Sequence, residues 1–145
     1  MSSHKILIAD LVSPFHLDAL KKLQFEVNYL PKLTPEQFAS ILTSFNPHIL
    51  IVRSRKVQKQ HLENTPNLKA VLRAGAGVDN IDLKTATSRH ITVCNTPGRN
   101  SVAVAELVFA LLLGLDRNVY LNNQATQNGI WNKLELSKSE GLKVG

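Results

Sequence analysis

The sequence holds one cysteine, one methionine and one tryptophan, and only 6% of its 145 residues are aromatic. Cys94 alone offers no intrachain disulfide, so the fold cannot rest on covalent staples; a reducing, cytoplasmic setting is expected. Long hydrophobic runs are missing too. The densest, Leu107 to Leu115, falls well short of the ~20 residues that span a bilayer. Met1-Ser2-Ser3-His4 leads straight into Lys5 and a short apolar run, without the pattern of a secretory signal. Blocks of one charge are also lacking. The 17 Lys and Arg against 11 Asp and Glu leave a net +6, but the basic residues are scattered, aromatics do not interleave with them, and no zinc-ligand spacing occurs. These absences argue against a nucleic-acid partner; solubility or attraction for a small anion explains the excess as well. The five histidines (His4, His16, His48, His61, His90) show no metal spacing and are read as structural or surface groups, so no metal is expected. What remains, at 43% hydrophobic residues, is the balance of a globular chain, which at this size buries about 68–70% of its unfolded surface.

Short apolar runs alternate with amphipathic stretches. Lys5 to Asp10 reads as a strand buried on both faces and ending in a carboxylate. Pro14 opens a helical pattern carried by Phe15, Leu17, Leu20 and Leu23. Phe25 to Tyr29 alternates like an edge strand. Thr34-Pro35-Glu36-Gln37 is a helix start with Thr34 as N-cap, and Phe38, Ile41, Leu42 and Phe45 share one face before Asn46-Pro47 ends it. His48 to Val52 is the third strand, Gln60 to Glu63 a short helical turn, Leu68 to Leu72 the fourth strand. Asp82 caps a small helix through Ser88, and Ile91 to Cys94 is the fifth strand. Strands alternating with helices predict an α/β fold with a doubly wound parallel sheet. After Pro97 to Ser101 a long helix is expected from Val102 to about Val119, apolar around most of its circumference, which must be covered by something else. Glu106 reads there as an anchor, Cys94 as a small buried residue and Trp131 as a packing anchor.

In open α/β sheets ligands bind outside the carboxyl ends of the strands. Those ends bring Asp10, Arg53-Ser54-Arg55-Lys56, Arg73-Ala74-Gly75-Ala76-Gly77 and Asn95-Thr96 to one rim. If the strands before Arg53 and Arg73 are neighbours, about 4.8 Å apart, the two arginines can meet on one anion, each charge-assisted bond contributing roughly 1.5–3 kcal/mol. They can equally bridge surface carboxylates. Gly75 and Gly77 allow close approach of a ligand to backbone amides, or simply a tight turn; Asn80 stands where the G-x-G-x-x-G fingerprint needs its third glycine. Asn100-Ser101 caps the long helix, and such an end also attracts anions.

Taken in order, Leu50 to Ser54, Arg73 to Asp82, Val93 to Pro97 and Asn100 to Glu106 resemble the D-isomer-specific 2-hydroxyacid dehydrogenases over essentially the whole chain, and Gly129-Ile130-Trp131 resembles the segment after that family's long helix. Within the family the resemblance is strongest to members acting on 3-phosphoglycerate. It implies a flavodoxin-like substrate domain over residues 1–98, then a long helix and the start of an NAD-binding Rossmann domain over 99–145. It further implies reversible, NAD-dependent hydride transfer converting 3-phosphoglycerate to 3-phosphohydroxypyruvate, at the head of serine synthesis. Carried onto this sequence, Arg53, Ser54, Arg73 and Arg117 are substrate-side groups, with Arg53 toward the phosphate. Ala76 and Gly77 cradle the substrate carboxylate. Asn100 and Ser101 lie at the substrate–nicotinamide junction, and residues 102–131 form subunit contacts of a homodimer or tetramer.

The family's glycine fingerprint follows a strand that would begin near Leu142, and its catalytic arginine, glutamate and histidine come later still. The expectation is therefore an N-terminal portion without catalytic residues of its own, inactive alone, with a self-associating apolar helix. A glyoxylate/hydroxypyruvate reductase-like enzyme is the alternative within the family, and a non-catalytic protein-binding or assembly module the alternative outside it.

Overall fold

The computed structural model describes residues 4–22, 25–131 and 141. Five strands, β1 (Lys5–Ile8), β2 (Glu26–Tyr29), β3 (Ile49–Val52), β4 (Ala70–Arg73) and β5 (Thr92–Asn95), alternate with helices α1 (Pro14–Lys22), α2 (Pro35–Phe45), α3 (Lys59–Glu63) and α4 (Leu83–Ser88). All pairings are parallel, in the order β2-β1-β3-β4-β5. This is the α/β sheet that the alternating pattern predicts. Leu23, the last residue of the first helical stripe, and the strand expected near Leu142 lie outside the described residues. The chain divides into two compact units, Met1–Arg99 and Asn100–Gly145.

The core of the first unit follows from register. Leu7, Leu50, Val71 and Val93 are mutual partners across β1, β3, β4 and β5, and this row packs with Phe38 and Leu42 of α2, Leu62 of α3 and Ala86 of α4. The opposite face holds Ile8, Ile51, Leu72 and Cys94 in one row. There Ile8 is buried, Ile51 half-buried, and Leu72 and Cys94 exposed. Burial on both faces thus holds at β1 and fades toward β5, and Cys94 is an exposed thiol rather than the small buried residue expected.

Local signals explain most helix ends. The Thr34 Oγ1 accepts the Gln37 N–H at 3.3 Å and the Gln37 Oε1 accepts the Thr34 N–H at 2.9 Å, with Pro35 at the first helical position. The Asp82 Oδ1 accepts the Thr85 N–H at 2.9 Å and starts α4. Strand β4 begins two residues later than the apolar run suggests, because the Leu68 N–H turns back to the Thr65 carbonyl at 3.2 Å.

The second unit departs from expectation. In place of one helix to about Val119 there are two, α5 (Ser101–Asp116) and α6 (Val119–Gln127). Asn118 breaks them at φ 52, a left-handed conformation that asparagine tolerates better than most residues. Apolar periodicity cannot register this break, since Leu115 and Val119 continue the stripe. Neither helix buries a residue, and Trp131, expected as a packing anchor, is 81% exposed. Among the described residues no helix is long and apolar enough to cross a membrane.

Candidate functional site

Because the sheet is parallel, β1, β3, β4 and β5 end on one edge, and Val52, Arg73 and Asn95 are register partners there. The loop after β3 is fixed by a residue 43 positions away. The Asp10 Oδ2 accepts the backbone N–H groups of Arg53, Ser54 and Arg55 at 2.7, 3.1 and 3.0 Å. A carboxylate at the end of β1 therefore orients the whole Arg53–Lys56 turn. The rim role of Asp10 was visible in the sequence as a position, but not this function.

The arginines of the rim differ in what they are free to do. Arg55 donates from Nε to the Ala9 carbonyl at 3.0 Å and from Nη2 to the Leu33 carbonyl at 2.9 Å, and its guanidinium lies 4.9 Å from the Phe38 ring centroid. It tethers the loops after β1 and β2 to the rim. Arg53 and Ser54 are exposed, and among the described residues neither side chain bonds a protein group. Arg73 is half-buried, and its Nε is buried without an acceptor.

The glycine turn after β4 is held through the N–H groups of Ala74 and Gly75 and the carbonyls of Gly75 and Ala76. The Ala74 N–H donates to the Val52 carbonyl at 2.8 Å and the Gly75 N–H to the Arg73 carbonyl at 2.9 Å. The Gly75 carbonyl accepts the Thr96 N–H at 3.0 Å, and the Ala76 carbonyl accepts the Asn95 Nδ2 at 2.6 Å. The N–H groups of Ala76 and Gly77 bond no protein acceptor among the described residues, and both residues are exposed. Two exposed amides thus lie on the same rim as the cation-bearing strand ends, with the Asp79 carboxylate beside Gly77 on the same turn. Asn95 was placed on this rim from sequence; its clamp on Ala76 becomes visible only with the register.

A cavity of about 430 Å³ opens next to the rim, walled by Asp10, Phe38, Ser54, Arg55 and His61 among others. Of its two cations, Arg55 is already bonded to two carbonyls, whereas Lys56 is exposed. The His61 Nδ1 accepts the Gln58 N–H at 3.0 Å, and burial, with Arg55 nearby, pushes the imidazole below its ordinary value.

Asn80, which replaces the third fingerprint glycine, donates from Nδ2 to the Arg55 carbonyl at 2.7 Å and so ties the two rim loops together. The next helix, α4, begins only at Leu83 and spans 6 residues. A dinucleotide pyrophosphate needs a glycine turn that opens directly into a helix, so this turn does not fit that group. Among the described residues no cluster of three or more His, Cys, Asp or Glu is placed to hold a metal ion.

The remaining sequence-derived site residues belong to the second unit. Asn100 occupies the N-cap of α5 without a side-chain cap bond, Ser101 is its first residue, and Arg117 is its C-cap. The Arg117 Nε pairs with the Asp116 carboxylate at 3.4 Å. The 16 residues of α5, rising about 1.5 Å each, put roughly 24 Å between its ends. One small metabolite does not span that length, so Asn100 and Arg117 of one chain do not share a ligand.

Comparison with known proteins gives this rim a context. The family model described as D-isomer specific 2-hydroxyacid dehydrogenase, catalytic domain, matches residues 6–135. A D-3-phosphoglycerate dehydrogenase of Methanocaldococcus jannaschii is 38% identical over 132 residues, covering 89% of this chain and 24% of that protein. A glyoxylate reductase of Thermococcus litoralis is 44% identical over 81 residues, covering 56% of this chain and 24% of that protein. The crystal structure of the NAD+-bound 3-phosphoglycerate dehydrogenase of Entamoeba histolytica superposes with a TM-score of 0.66 at 27% identity, covering 78% of this chain and 39% of that one. The chain spans about a quarter of the length of the curated relatives it matches. A family match running from β1 past α6 makes the chain a member of the D-isomer-specific 2-hydroxyacid dehydrogenase family.

Proposed function

We propose that these residues supply substrate recognition for an NAD-dependent D-3-phosphoglycerate dehydrogenase, which oxidises 3-phosphoglycerate to 3-phosphohydroxypyruvate in serine synthesis in the cytoplasm. The observation that carries the reading is that Arg53, just past β3, and Arg73, at the end of the adjacent β4, share one rim with the unbonded amides of Ala76 and Gly77. In this reading Ala76 and Gly77 hold the substrate carboxylate, Arg73 stands beside them, and Arg53 and Ser54 face the phosphate. NAD would supply the hydride-accepting chemistry at C2. Asn100 and Ser101 are assigned to the junction of substrate and nicotinamide. Residues 102–131 are assigned to contacts of a homodimer or tetramer, in which Arg117 serves a neighbouring copy's ligand rather than its own. The 1–98 segment is the substrate domain, and residues 99–145 lead into the cofactor domain.

Among the described residues no turn fits a pyrophosphate and no proton-transfer residue is assigned. Given 3-phosphoglycerate and NAD this chain should form no NADH, and measurable turnover by it would remove the reading. Binding tests it directly. Calorimetric titration should give tighter binding of 3-phosphoglycerate than of glycerate, and Arg53→Ala should abolish the difference. Two observations favour a second reading, a glyoxylate/hydroxypyruvate reductase-like enzyme. Arg55, one of the cations clustered after β3, is committed to Ala9 and Leu33, and the Thermococcus relative is 44% identical. Equal binding of phosphorylated and unphosphorylated acids would select it.

A further inference from the structure

We propose that Gly75 is a positioning residue for Arg73: its missing side chain leaves the space in which the Arg73 guanidinium lies over the turn, next to the unbonded amides of Ala76 and Gly77. The proposal rests on the reading of this rim as an anion site. Glycine at position 75 is not required by backbone conformation, because among the described glycines only Gly98 and Gly129 have positive φ. Space is the requirement. A Cβ built on Gly75 runs into Nη1 and Cζ of Arg73, with Nε 3.1 Å away. The backbone there is pinned by the Arg73, Thr96 and Asn95 hydrogen bonds to Gly75 and Ala76, so the guanidinium, not the turn, must yield to a larger residue. The buried Nε of Arg73 has no protein acceptor. A guanidinium is a planar fork of donors suited to a bidentate anion, and the room left at Gly75 lets this fork lie over the turn that carries the two amides.

The collision involves the far end of a flexible side chain, and an alanine at a compatible φ ordinarily stabilises a fold by restricting the unfolded chain. Stability and binding should therefore separate. In Gly75→Ala the melting temperature should be unchanged or slightly raised. The Arg73 Nε–Hε resonance, assigned with Arg73→Lys, should shift and exchange faster with solvent. Affinity for 3-phosphoglycerate should fall by about tenfold or more. In an Arg73→Lys background the same glycine substitution should change affinity by less than about twofold. An unmoved Arg73 resonance in Gly75→Ala, or equal losses in both backgrounds, overturns the proposal. If Gly75→Ala lowers the melting temperature, adding Arg73→Ala should restore it, and failure to do so also overturns it. If Arg73→Lys leaves 3-phosphoglycerate binding intact, the anion-site reading falls, while the ligand-free resonance still decides whether Gly75 holds Arg73.

Discussion

Phe38 and Phe109 are both helical phenylalanines, yet one is 1% exposed and the other 64%. The difference lies in pattern rather than composition. Helix α2 confines its apolar residues to one face, and that face meets the row Leu7, Leu50 and Val71 of its own sheet. Helix α5 is apolar all round, so no single surface can satisfy it, and none of its residues is buried. The first unit carries its own core; the second leaves the apolar residues of its helices exposed. The largest test of this contrast is truncation in each. Leu50→Ala, at a position 0% exposed, should cost about 2–5 kcal/mol in urea unfolding. Leu115→Ala, at a position 77% exposed, should stay within about 0.5 kcal/mol. Phe109→Lys should instead reduce self-association in sedimentation at high concentration. Comparable unfolding costs at Leu50 and Leu115 would erase the distinction between the units.

Next in size is the anchor of the rim. Asp10→Ala removes the acceptor of three backbone N–H groups and should destabilise the first unit by about 2–3 kcal/mol. Asp10→Asn, which keeps one acceptor oxygen, should cost less. A neutral Asp10→Ala by chemical denaturation would mean that the Arg53–Lys56 turn holds itself. Asp10 also marks where sequence stops being legible. Periodicity and capping chemistry are local, so the strand alternation, the Thr34–Gln37 box and the Asp82 cap were readable directly. The bonds of Asp10 span 43 to 45 positions and those of Arg55 to Leu33 and Ala9 span 22 and 46. No periodic signal reports such distances, and Arg55 therefore looked like one more cation for a ligand. Gly75 was legible as a glycine but not as a seat for Arg73, because nothing local says which side chain folds over it. The α5–α6 break was hidden for the opposite reason: the apolar pattern runs through a single left-handed asparagine.

Helix caps extend the comparison at smaller amplitude. Thr34 bonds the Gln37 N–H, whereas the Asn100 side chain makes no cap bond. Thr34→Ala should cost about 1 kcal/mol, and Asn100→Ala should be close to neutral in the same unfolding assay. If Asn100→Ala nevertheless weakens 3-phosphoglycerate binding, its role is at the ligand and not in the helix; if it destabilises as Thr34→Ala does, its cap bond forms in solution.

The smallest effect is one that only the first unit can show, since all five histidines precede residue 100. His61 accepts the Gln58 N–H through Nδ1 and stands edge-on to Phe38, ring centroids 4.9 Å apart. Burial, then the charge of Arg55, holds its pKa below the ordinary 6.5. His48 accepts the Lys5 N–H at 2.9 Å and is lowered first by burial, then by His4, Lys69 and Lys5. Both rings thus favour the neutral form in the folded chain. Below pH 6.5 the unfolded chain binds more protons than the folded one, so stability rises with pH through that window and is lost as pH falls below it. Urea midpoints at about pH 7.5 and about pH 5.5 should therefore differ, with the acid value lower. His61→Asn supplies an oxygen near the position of Nδ1 that accepts the Gln58 N–H without titrating, so it should narrow that gap while leaving the neutral-pH midpoint nearly in place. An unchanged gap in His61→Asn would assign the acid sensitivity to His48, and its persistence in a double variant with His48→Asn would remove it from these imidazoles altogether.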